Sequence, residues 1–133
     1  MSIAKEKVSV ITVCRNEKNR IRRTMESVLN QTFNQFEYII IDGDSKDGTQ
    51  KEIEYFKHAL SHVISGPDAG MFSAMNKGAM LSRREYLYFL NADDRIHSTS
   101  LFKDIFLLNV TEDLVYGDLV FVQTVSRKVY VLH

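Results

Sequence analysis

A single cysteine, a single proline, six glycines and no net charge set the first limits on this 133-residue chain. One cysteine, Cys14, excludes an internal disulfide and suits a reducing compartment; inside an apolar run it reads as a small buried core residue. With one proline there is no extended linker, and neither an internal repeat nor a low-complexity tract interrupts the chain. The glycines gather in loops after apolar segments. Lys plus Arg and Asp plus Glu number 17 each, so a nucleic-acid binder working by bulk electrostatics is excluded. Arg20, Arg22 and Arg23 are read as the wet face of a helix. No apolar stretch reaches the length of a membrane span, and the N terminus carries no signal-peptide pattern. The cytoplasm is the expected compartment, with peripheral association at the inner face of the membrane left open.

What is present is a 44% hydrophobic, 26% charged composition, ordinary for one globular domain of residues 1–133. Val8–Val13 reads as a buried β-branched strand, followed by the polar break Arg15-Asn16-Glu17 and a helix over residues 18–30. Ile21, Met25, Val28 and Leu29 form its core stripe. Glu37–Ile41 is a second strand, and Asp42–Thr49 a loop of turn formers and helix caps, with capping accounting for Asp47. A helix over 47–60 turns Ile53, Phe56 and Leu60 inward, and His62–Ser65 is a short strand. The helix Met71–Leu81 is expected to place Met71, Met75 and Gly78 along one packed side. The strand from Tyr86 ends at Asp93, and a helix carries Leu101, Ile105 and Leu108 inward. Leu114–Asp118, Leu119–Val125 and Lys128–Leu132 read as later β segments. Strand and helix alternate with continuous apolar strands, which predicts an α/β fold with a parallel sheet covered on both faces.

Three polar loops each follow an apolar strand directly: Arg15-Asn16-Glu17, Asp42-Gly43-Asp44 and Asn91-Ala92-Asp93-Asp94. A strand cannot bury the neighbouring carboxylates Asp93 and Asp94 unpaired, so they belong at its carboxyl end. In a parallel sheet all three loops gather at one edge, where ligands bind. Acids there suit a hard divalent cation shared with phosphates; a plain solvated turn is the competing reading of each loop taken alone. Neither Gly-x-Gly-x-x-Gly nor a Lys-Ser/Thr phosphate loop occurs, so dinucleotide and P-loop readings lose their support. A receiver domain fails on order, since an acidic pair would follow the first strand.

These residues resemble family 2 glycosyltransferases, inverting enzymes of the GT-A fold that use nucleotide-sugar donors. Val8–Val13 with Asn16-Glu17 is similar to the family's first strand and nucleotide loop. Ser27–Phe33 resembles its first-helix signature, and Asp42–Thr49 its Asp-Asp-Gly-Ser-x-Asp-Gly-Thr loop. Asn91–Asp94 looks like its Asp-x-Asp motif. Pro67–Gly78, with Asp68, Gly70, Asn76 and Lys77, resembles the branch of colanic-acid-type and other surface-polysaccharide transferases. The resemblance implies a truncated GT-A domain comprising the nucleotide-sugar-binding half. It places Thr12, Cys14 and Arg15, through their backbone, around base and ribose, with Asn16, Glu17, Asp42 and Asp44 beside the nucleoside. Asp68 would close the base pocket and Lys77 would reach a phosphate. Asn91, Ala92 and Asp93 would face the donor, and Asp94, helped by Asp93, would ligate Mn²⁺ or Mg²⁺. The implied donor is a UDP-, GDP- or dTDP-sugar, and the acceptor a glycan or lipid-linked chain. Gly43 stands where many members have a second Asp, Asn91 where an Asp is common, and Arg83-Arg84 where a Gly precedes Glu85. No residue matches the family's general base, so a non-catalytic nucleotide-sugar-binding fragment is the alternative. Open late strands make a homodimer the expected assembly.

Overall fold

The computed structural model describes residues 8–107 and the strands 119–123 and 128–132. The elements run β1 (Val8–Cys14), α1 (Ile21–Leu29), β2 (Phe36–Asp42), α2 (Thr49–Tyr55), a 3-10 turn (Lys57–Ala59), β3 (His62–Ser65), α3 (Met71–Leu81), β4 (Tyr86–Phe89), α4 (Leu101–Leu107), β5 (Leu119–Gln123) and β6 (Lys128–Leu132). Four strands form a wholly parallel sheet in the order β3-β2-β1-β4, and β5 pairs with β6 antiparallel. The expected alternation and parallel α/β sheet are therefore present. Leu114–Asp118 and Leu108 lie outside the described residues.

Residues alternate along each strand between two faces. Val8, Val10, Tyr38 and Ile40 meet α1, α2 and α4 through Ile21, Met25, Val28, Ile53 and Phe102. On the other face, among the described residues, Ile11, Val13, Ile39 and Ile41 meet α3, through Ala74 with Met75, Ala79 and Leu81 packed around it. A helix is about 10 Å across and strands lie about 4.8 Å apart, so one helix covers about two strands. Ile64 on β3 and Leu87 and Phe89 on β4 share that face and stay 40–45% exposed.

Several boundaries differ from the expectation. Helix α1 starts at Ile21 because residues 18–20 form a turn, with the Arg20 and Ile21 amides both donating to Glu17 O. Helix α2 ends at Tyr55 and the 3-10 turn carries Leu60 to the core edge. In α3 the buried side is Ala74 and Gly78, while Met71 is 48% exposed. Small residues are needed there: a Cβ on Gly78 would stand 2.4 Å from Ile11 Cγ2. In α4 the fully buried anchor is Phe102, with Leu101 packed partly buried against the same core and Ile105 half-buried.

Arg83-Arg84 also finds an explanation. Glu37 lies at the start of β2, 4% exposed, and accepts from Ser9 Oγ at 2.8 Å and from the Arg83 amide at 3.0 Å. The Arg84 guanidinium stands 3.7 Å away, and Ser82 Oγ donates to Ser9 Oγ. A buried carboxylate demands such partners, and they pin the end of α3 to the sheet at the edge opposite the acidic loops.

Candidate functional site

The carboxyl ends of β1, β2 and β4 meet at one edge. Cys14 is in register with Asp42, and beyond Phe89 the chain keeps following β1, with the Leu90 amide donating to Ile11 O and the Ala92 amide to Val13 O. Asp93 and Asp94 therefore leave the sheet beside the other two loops. Their position is fixed from α1. The buried Thr24 hydroxyl lies 2.8 Å from Ala92 O and 2.6 Å from Asp94 O, sharing one proton between them. Ser27 Oγ accepts from the Ile96 amide, and the Gln31 amide group donates to Ser98 O while its carbonyl accepts from the Phe102 amide. Thr24 thus positions the acidic turn, while Ser27 and Gln31 hold the segment that follows it.

The loops after β1 and β2 are laced together by side chains. Asn16 N donates to Ser45 Oγ, Glu17 N to Thr49 Oγ1, Lys18 N to Asp47 Oδ2, and Lys46 N to Asn16 Oδ1, all at 2.8–3.1 Å. Asn16 and Asp44 adopt left-handed backbone (φ 54° and 63°), which Asn and Asp tolerate better than other side chains. Asp42 is 1% exposed and saturated within its loop by Ser45, by Gln50 Nε2 at 2.9 Å and by the Cys14 thiol. Gly48 occupies the N-cap position of α2, and Asp47, one residue earlier, accepts from the first helical amide, that of Thr49, and from the Lys18 amide. Those hydrogen bonds, led by the Thr49 hydroxyl, hold its carboxyl below the usual range.

Of the remaining expected residues, Thr12 turns its side chain into the core onto Tyr38 Oη, and its backbone lies within the β1 ladder. Arg15 and Asn76 are exposed. Lys77 Nζ lies 3.4 Å from Pro67 O, so it braces the β3–α3 loop in this state. Asp68 accepts from the Gly70 amide, with Gly70 at φ 111°. Its other oxygen would lie 3.0 Å from a Cβ at residue 43, so Asp68 fills the space beside Gly43. Asn91 contacts Met71 Sδ, and Ala92 is buried.

The charges are more balanced than three acidic loops suggest. Arg20, expected on a wet helix face, stands just ahead of α1 with Nη1 3.4 Å from Asp93 Oδ1 and 3.6 Å from Glu17 Oε2. Burial, then the neighbouring Asp93, push the Asp94 carboxyl above its usual range. Burial and Asp42 push the Cys14 thiol well up, which leaves it a poor nucleophile. Sequence reasoning missed Thr24 and Arg20. Thr24 could have been found as a hydroxyl inside the apolar stripe Ile21, Met25, Val28.

Among the described residues no three His, Cys, Asp or Glu side chains converge on a point that could hold an ion. Two adjacent carboxylates suit an ion that completes its shell from a ligand's phosphates, as Mg²⁺ commonly does. The donor set fits a shared cation and not a closed metal cage.

The comparisons with known proteins agree with this architecture. Poly(ribitol-phosphate) beta-N-acetylglucosaminyltransferase TarP of Staphylococcus aureus is 37% identical over 101 residues, covering 72% of this chain and 31% of that protein. The uncharacterized glycosyltransferase YibD of Escherichia coli is 30% identical over 110 residues, covering 81% and 32%. The chain spans about a third of the length of such curated relatives. Among solved structures, S. aureus TarS 1-349 in complex with UDP-GlcNAc superposes with TM-score 0.70 at 25% identity, over 76% of this chain and 30% of that one. A mannosyltransferase from Pyrobaculum calidifontis, in complex with GDP-Man and Mn²⁺, shares the fold at TM-score 0.65 and 19% identity, over 72% of this chain and 30% of that one. The family profile for glycosyl transferase family 2 matches residues 9–131, and the chain belongs to that family.

Proposed function

We propose that the chain is the donor-binding part of an enzyme that moves a sugar from a nucleotide diphosphate to a glycan or lipid-linked acceptor in surface-polysaccharide synthesis. The observation that carries this reading is the Asp93–Asp94 turn, held by Thr24 at the carboxyl edge of a parallel sheet. Likeness to TarP and to the UDP-GlcNAc complex of TarS supports a UDP-sugar as the first donor to test, and the transferases among the relatives favour an enzyme over a non-catalytic module.

The laced loops 15–18 and 42–49 form the wall for base and ribose, with Asp42 acting through the loop it organises. Asp68, beside Gly43, supplies the carboxylate nearest the base. Asp44, Gly70, Asn76 and Asn91 line the rim. Asp94 and Asp93 would hold Mn²⁺ or Mg²⁺ together with the donor diphosphate, and an ion bound there would supply Lewis-acid stabilisation of the departing nucleotide. Family likeness makes the reaction an inverting one, and its general base is not matched by any residue of this chain.

Calorimetric titration of UDP-, GDP- and dTDP-sugars with and without Mn²⁺ tests the reading. Metal-dependent binding that Asp94→Ala removes is the expected outcome. Equal affinity without metal would refute the role given to Asp94.

A further inference from the structure

Resting on the nucleotide-sugar reading, we propose that Arg20 is a resident counter-ion for Asp93 that is exchanged for the cation when a diphosphate arrives, so that cation and donor bind as one coupled event. The guanidinium lies between Glu17 and Asp93, 3.6 and 3.4 Å from their oxygens, and bridges the loop after β1 to the acidic turn after β4. Both ends of the Arg20–Asp93 pair are more than half exposed, at 61% and 63%. Such a pair is weak and rearranges readily. Asp94 has no ion pair among the described residues. The two carboxylates are therefore unequal: one is open and one is held.

A divalent ion reaching Asp94 alone meets the positive charge of Arg20 beside the adjacent Asp93, and like charges at this range repel even through water. A diphosphate changes that balance. Its paired oxygens match the planar fork of a guanidinium, which binds such groups in a bidentate manner. Arg20, whose Nη1 makes both contacts, can then swing from Asp93 to the diphosphate while staying beside Glu17, and Asp93 becomes available to the cation. Arg20 would thus suppress metal binding to the empty site and strengthen donor binding to the loaded one. A merely decorative surface pair would do neither.

The opposite signs make the test. Mn²⁺ affinity is measured on the whole chain by the electron paramagnetic resonance of free Mn²⁺, with and without saturating UDP. UDP affinity is measured at saturating Mn²⁺ by calorimetry, at low ionic strength because salt screens exposed pairs. Arg20→Gln should tighten Mn²⁺ binding to the empty site about two- to fivefold and weaken UDP binding by a similar factor. Arg20→Lys should keep the suppression of Mn²⁺ and lose part of the UDP affinity, because it keeps the charge without the fork. If Arg20→Gln moves both affinities in the same direction, or neither, the exchange is wrong. Wild-type binding that needs Mn²⁺ and is lost in Asp94→Asn, beside an unaltered Arg20→Gln, would sink the Arg20 proposal alone. Failure of the wild type to bind UDP with Mn²⁺ would overturn the nucleotide-sugar reading itself. Unchanged melting temperatures of the variants show that the fold is intact.

Discussion

Single side chains decide most of the chemistry at the sheet edge, and Thr24 shows how. Its hydroxyl sits on the apolar stripe of α1 yet supports two carbonyls of the Asn91–Asp94 turn. Thr24→Val keeps the shape and removes the donor, leaving those carbonyls short of a partner. A loss of about 1–2 kcal/mol in urea unfolding is expected, together with weaker metal-dependent UDP binding from a looser acidic turn. Cys14 gives a second prediction. Buried, and with its thiol pushed well above the usual range by burial and Asp42, it should resist iodoacetamide in the native chain at pH 8. It should be alkylated rapidly in denaturant. Reaction at equal rates in both states would show that the Cys14–Asp42 contact does not persist in solution.

Between elements, α3 lies tight against β1 at Gly78. Gly78 has no room for a methyl group against Ile11, so Gly78→Ala should cost about 1–3 kcal/mol by overpacking. Combined with Ile11→Ala the two losses should not add, since Ile11→Ala removes the Cγ2 that the new methyl at residue 78 collides with. This contact also explains what the sequence could reveal about α3. The helix and its length were legible from Met71 to Leu81. Its packed side was legible in part: Gly78 is buried and Met75 packs beside Ala74, but Met71 stays exposed because the sheet demands small residues there. The same holds for α4, where Leu101 packs partly buried against the core but Phe102 is the fully buried anchor. The parallel sheet was legible because β1 and β2 are continuous runs of β-branched residues. The three polar loops at one edge followed from parallel order alone. What escaped was contact between elements distant in sequence: Thr24 with Asp94, Arg20 with Asp93, Asp68 with Gly43.

For the molecule as a whole, the uneven helix layers matter most. Among the described residues three helices cover one face and one covers the other, and Ile64, Leu87 and Phe89 stay partly bare. Expressed alone, the 133-residue chain should self-associate with rising concentration in sedimentation runs, and Leu87→Lys should weaken that association. The same chain should bind donor without transferring sugar. Product formation with an acceptor glycan would show that a general base is present after all. A final consequence belongs to the lacing between the loops after β1 and β2. Amides of Asn16, Glu17, Lys18 and Lys46 lie outside any helix or strand, yet each is tied to a side-chain oxygen across the gap. In deuterated water these four should exchange slowly for loop residues, with protection closer to that of a strand. The proposed nucleotide would meet there a surface already frozen in shape, and its affinity would not be diminished by the cost of ordering the chain.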